Sequence, residues 1–246
     1  MSGAGATLLR PLLDPWRGLE RCLERRGALS LAWVAAGLLV GWWLYVPVHE
    51  LLHAAACRAA GGRVERLEIA PEYGGAVLGR IFPFVHSGSE YAGRLTGFDT
   101  GGSDLVYLAT DFGPYLLTLY PGVWLLRRAG RRRWAFGFGA ALPLALAPFL
   151  SLTGDAYEIG AIVATRLPWW RQAAAAVRGD DVVRIVRDAS LAPAPLAWGA
   201  VAAALALGTL WAWLTYALGS VVARALGEPA LVPAVRVAAS PAASPS

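Results

Sequence analysis

Four long apolar stretches decide what this chain can fold into: Ala28 to Ala56, Leu105 to Leu126, Trp134 to Thr153 and Leu196 to Leu226. About 20 apolar residues rising about 1.5 Å each span the hydrocarbon core of a bilayer. The expected fold class is therefore an all-α membrane protein with about four transmembrane helices. Charged residues make up 16% of the chain and hydrophobic residues 57%, with a mean hydropathy of +0.48. A soluble domain carries about 25% charged residues, so a typical cytosolic enzyme, a disordered chain and a small disulfide scaffold are all excluded. The first stretch does not read as a cleaved leader, because 27 residues precede it and the small residues that could serve as a cleavage site, Ala54 to Ala60, follow at its end.

All 22 basic residues are Arg, and they are spread between the apolar stretches rather than gathered on one soluble face. They read as charges at the phosphate level of a lipid bilayer, with no nucleic-acid partner. Five lie in Arg127 to Arg133, and Arg17, Arg21, Arg25 and Arg26 precede the first stretch. Positive charge on short loops marks the cytoplasmic side. The expected division is a cytoplasmic segment over 1–27, a membrane-embedded domain over 28–226, and a disordered Ala/Pro/Ser-rich tail over 227–246. The segments Arg58 to Asp104 and Asp155 to Pro195 then lie on the outer side. The composition suits a multi-pass protein of a bacterial inner membrane. Cys22 and Cys57 lack metal-ligand or CxxC spacing and read as small packing residues.

In the first outer segment, Arg63 to Ala70 alternates like a strand, and a turn at Pro71 to Gly75 leads to apolar Ala76 to Val85, which together read as a β-hairpin. Ser87 to Ser103 is Gly-rich and reads as a loop. In the second outer segment, Trp169 and Trp170 suit the interface and Asp180 to Ala189 reads as an interfacial helix.

At the end of the first stretch stand His49-Glu50-Leu51-Leu52-His53. Residues i and i+4 share a helix face, so both imidazoles can reach one Zn²⁺ while Glu50 stands beside it as general base. A catalytic zinc site takes a third protein ligand and keeps one position for water. Asp155 is the expected ligand. It lies 21 residues beyond Trp134, as His49 lies 21 beyond Ala28, and both stretches run outward. Glu158, one helical turn on, is the alternative ligand or a partner that orients a His. Asp111 reaches nearly the same level on the antiparallel second stretch, as an interfacial acid or a supporting group. His86 reads as a surface loop residue.

These residues resemble the site-2 protease family of membrane-embedded zinc metalloproteases. His49-Glu50-Leu-Leu-His53 with its trailing alanines and Gly61-Gly62 looks like that family's motif helix. Gly113-Pro114 is similar to its Gly-Pro element, the Arg63 to Val85 hairpin to its membrane-associated β-element, and Asp155 to its third zinc ligand. Leu117 stands where the family usually has Asn, and Gly154-Asp155-Ala156 where it has Leu-Asp-Gly. The charge pattern puts this site near the outer face, whereas the family's usually opens toward the cytosol. The resemblance implies cleavage of a peptide bond in a membrane-associated protein substrate, held extended by strand addition along the hairpin edge. The alternatives are zinc-dependent hydrolysis of another amide or ester at the membrane surface, and a non-catalytic membrane protein. Oligomeric state leaves no signal in the sequence.

Overall fold

The structure, a computed structural model, describes residues 9–24, 26–178, 182 and 195–231. It is mostly helical, with one small sheet. Helix α1 covers Arg10–Leu23 and α2 covers Gly27–Ala59. Strand β1 (Arg63–Ile69), helix α3 (Gly75–Ile81) and strands β2 (Val85–Ser87) and β3 (Gly93–Asp99) follow. The rest is helical: α4 (Asp104–Phe112), α5 (Val123–Arg132), α6 (Ala135–Ala145), α7 (Ala147–Leu150), α8 (Asp155–Arg166), α9 (Ala174–Val177) and α10 (Pro195–Ala225).

Two helices are long and apolar enough to cross a membrane, one over Gly27–Ala59 and the other over Ala197–Ala225. The second and third apolar stretches are not continuous spans, which corrects the expectation of four. Pro114 and Pro121 break the second into α4, a short 3₁₀ turn, a wide turn over Thr118–Gly122, and α5. The third runs as α6 and α7, then a turn at Ser151 to Gly154, before α8 resumes. Proline lacks the N–H that a helix interior uses and its ring crowds the preceding turn. An apolar run long enough to span need not be one helix.

The sheet also differs from the hairpin. Its order is β2-β1-β3, with β1 parallel to β2 (Leu67 opposite Val85) and antiparallel to β3 (Leu67 opposite Leu95). After Pro71 the chain turns through Gly74, at φ +82°, into α3 instead of a returning strand. A short apolar run fits a strand or a helix equally well by period. Here Leu78 and Phe82 face the core while Val77 and Ile81 are exposed. The expected loop Ser87 to Ser103 contains β3. A bulge at Arg66 resets the alternation of β1, so that Val64, Leu67 and Ile69 all reach the core shared with Ala54 and Cys57 of α2.

Close helix seams hold the bundle together. A Cβ at Gly37 of α2 would lie 2.0 Å from the carbonyl oxygen of Phe136 of α6. On α8, a Cβ at Gly160 would lie 2.0 Å from the Ala204 oxygen, and one at Gly208 of α10 would lie 2.2 Å from the Ala156 oxygen. Side chains are absent where the backbones touch. The α8–α10 contacts are antiparallel and place Ala156 level with Gly208, well inside the length of α10.

Both ends of the described part of the chain are tied down. Fully buried Arg127 of α5 reaches Asp14 of α1 at 2.7 Å, and Asp14 also accepts from Tyr216 of α10 and from the backbone N–H of Leu231. Glu228 pairs with Arg128 and Arg131. Residues 227–231 are thus docked, which corrects the start of the expected tail. Residues 232–246 and nearly all of the expected interfacial helix Asp180 to Ala189 lie outside the described residues.

Candidate metal centre

Helix α2 carries the HExxH residues two turns before its end and presents His49 and His53 on one buried face, with 8% and 7% of their surface exposed. Their Nε2 atoms are 3.1 Å apart. Asp155 approaches from α8, with Oδ2 3.2 Å from His49 Nε2 and Oδ1 3.5 Å from His53 Nε2. Ligands about 2.0 Å from a tetrahedrally coordinated ion stand about 3.3 Å from one another. The three side chains bracket that spacing and could hold a metal ion. Asp155 Oδ2 is buried and has no hydrogen-bond donor, as expected of an oxygen whose partner is a cation.

Each imidazole is oriented through its other nitrogen. Thr110 of α4 offers its carbonyl oxygen 2.8 Å from His53 Nδ1, which therefore carries the proton and leaves Nε2 free to ligate. The Tyr45 hydroxyl lies 2.7 Å from His49 Nδ1, one turn back along α2. Two close contacts fix the depth of these groups. Gly113 lets α4 meet α2, since a Cβ there would lie 2.5 Å from the Leu52 oxygen, and the α8–α10 seam sets the level of Asp155.

Glu50 lies beside the ligands on the wall of a cleft of about 240 Å³ that also exposes His53 and Asp155. Strand β3 forms another wall, and its first residue touches the general-base candidate: a Cβ at Gly93 would lie 2.4 Å from Glu50 Cγ. Glu158 is outside the ligand group. It lines the cleft and accepts a 2.5 Å hydrogen bond from the Tyr107 hydroxyl. Asp111 also lines the cleft, 5% exposed, with its Oδ2 buried and unpartnered. His86 is exposed on β2 and near the Phe84 carbonyl oxygen, 3.2 Å away.

Sequence reasoning missed Tyr45, Thr110, Tyr107 and Gly93. Tyr45 was within reach of it, because it stands four residues before His49 on the same face. The carbonyl of Thr110 and the position of Gly93 depend on how α4 and β3 dock and leave no local signature. No protein-family model, curated protein or solved structure matches the chain.

Proposed function

We propose that the protein is a membrane-embedded zinc metalloprotease that hydrolyses a peptide bond in a membrane-associated protein segment, as the resemblance to site-2 proteases implies. The observation that carries this reading is the triangle of His49, His53 and Asp155 with Glu50 beside it at the wall of the cleft. Two imidazoles and one carboxylate form a ligand set that leaves a catalytic zinc an open position. The ion would supply Lewis acidity that activates water at neutral pH. Glu50 takes the proton of the attacking water and returns it to the leaving amine. The Thr110 carbonyl holds His53 in the tautomer that keeps Nε2 available, and the Tyr45 hydroxyl orients the His49 ring.

A peptide bond is open to attack when its segment is extended, because a helix hides its carbonyls. Strand β3 is an edge of the sheet and contributes Gly93, Arg94, Leu95 and Phe98 to the cleft, so its free side suits strand addition better than the hairpin expected from the sequence. Helices α2 and α10 cross the bilayer, and the broken stretches between them line a cavity at depth, where irregular backbone is tolerated in a membrane. The multi-pass arrangement in a bacterial inner membrane belongs to this reading.

The test is elemental analysis of detergent-purified protein beside its His53→Ala and Asp155→Ala variants. One zinc per chain in the parent, lost in both variants, together with cleavage of a membrane-peptide substrate that Glu50→Gln abolishes, supports the proposal. Zinc-free parent protein, or equal cleavage by Glu50→Gln, overturns it.

A further inference from the structure

The cleft holds more carboxyl groups than the metal centre uses. Glu50, Asp111, Asp155 and Glu158 line it beside one guanidinium, that of Arg94. Asp111 is the residue in question. It is 5% exposed, faces the cleft, and its buried Oδ2 receives no hydrogen bond. A buried carboxylate without a donor is costly unless it keeps a proton or meets a cation. Among the described residues, no second group of three or more His, Cys, Asp and Glu side chains stands close enough to share a metal ion. A larger cation, delivered from outside, fits the site. Tyr91, Phe98 and Tyr107 also line the cleft, the last two stacked at 5.5 Å with their planes 10° apart. Aromatic faces beside a carboxylate suit a guanidinium or ammonium on an aliphatic stem.

We infer that the cleft selects substrates by a basic side chain, an Arg or Lys close to the scissile bond, with Asp111 as the carboxylate that receives it. This rests on the metalloprotease reading and adds the substrate class. Asp111 sits next to Thr110, whose carbonyl meets His53, so the basic side chain would be bound within a few ångströms of the metal centre. Edge pairing along β3 recognises backbone alone, so it would set the register of a segment without choosing the segment. The Asp111 pocket supplies the choice.

The experiment uses the full-length protein in detergent, loaded with zinc and inactivated by Glu50→Gln, so that binding is read without turnover. The probes are fluorescent decapeptides of Ala, Leu and Ser with one Arg walked through every position, and the same set with citrulline, which keeps the shape and loses the charge. The expected result is at least about tenfold tighter binding of Arg over citrulline at one or two adjacent positions, falling below about threefold when Asp111→Asn is added. Equal binding of the two sets at every position, or a preference that survives Asp111→Asn, overturns the inference. Should Asp111→Asn not fold, the Arg-to-citrulline ratio in the unsubstituted pocket decides alone. Displacement of the Arg peptides by phosphatidylethanolamine but not phosphatidylcholine in mixed micelles would assign the pocket to a lipid amine and also overturn it. Absence of zinc in the parent protein would sink the metalloprotease reading while leaving this ratio to speak for the pocket.

Discussion

At the scale of single residues, the candidate centre separates the three side chains that could hold an ion from the carboxylate proposed to react. His49, His53 and Asp155 face one another at 3.1 to 3.5 Å, whereas Glu50 stands outside that triangle. Glu50→Gln is therefore expected to retain zinc at parental stoichiometry while cleavage falls about 10²- to 10⁴-fold. Gly93→Ala is the companion test from the opposite wall. Its methyl group would meet Glu50 Cγ at 2.4 Å, so β3 or the carboxylate must move, and at least a tenfold loss of cleavage with unchanged metal content is expected. Away from the centre, burial pushes the Cys22 thiol up to about 11. Iodoacetamide at pH 7.5 should leave it unmodified in the folded protein and label it after denaturation. The HExxH spacing and Asp155 could be read from the sequence because they depend on helix period and run length. Asp111 and Glu158 could be placed near the site but not sorted. Their difference lies in which neighbour turns a donor toward them: Tyr107 does so for Glu158 alone.

At the scale of elements, the geometry of the candidate centre rests on where helices stop. Asp155 is the first residue of α8, following a four-residue turn, so its carboxylate leaves the end of a helix while the two imidazoles leave the side of another. The α8–α10 seam keeps that helix end at the right level. Gly208→Leu inserts a side chain where 2.2 Å separates a Cβ position from the Ala156 oxygen, and forcing the backbones apart costs about 1–3 kcal/mol. The expected outcome is a lower unfolding temperature together with weaker zinc retention during dialysis against a chelator, since α8 carries Asp155, the proposed third ligand. Element type was legible where period and length agreed, as in α2 and α10. It was lost where prolines divided an apolar run, and in Ala76 to Val85, whose apolar residues serve a helix as well as a strand. The partner of β1 was likewise hidden: Gly93–Asp99 is too rich in Gly and polar residues to signal a strand, and it becomes one by pairing with β1.

At the scale of the whole molecule, charge is distributed by depth. The Arg-rich end of α5 gathers α1, α10 and residues 228–231 around one buried ion pair, Asp14 with Arg127. Removing one member of such a pair leaves the other buried and uncompensated, at about 3–5 kcal/mol. Asp14→Ala should lower the unfolding temperature more than any surface Arg substitution, and zinc per folded chain should stay the same. His49 lies 22 residues beyond the start of α2, about 33 Å away. The cluster was invisible beforehand because Asp14 and Arg127 are unremarkable in their own surroundings and meet through tertiary packing alone. The candidate centre draws on the same long-range assembly: its imidazoles belong to one helix and its carboxylate to another, with the sheet and two broken apolar stretches between them in the chain. A newly made chain whose α8 has not yet docked offers two nitrogen donors and no third ligand, which binds zinc poorly. On the metalloprotease reading proposed above, full capture of the ion therefore waits for α8 to dock, and hydrolytic power that depends on the ion would stay dormant until the fold is complete.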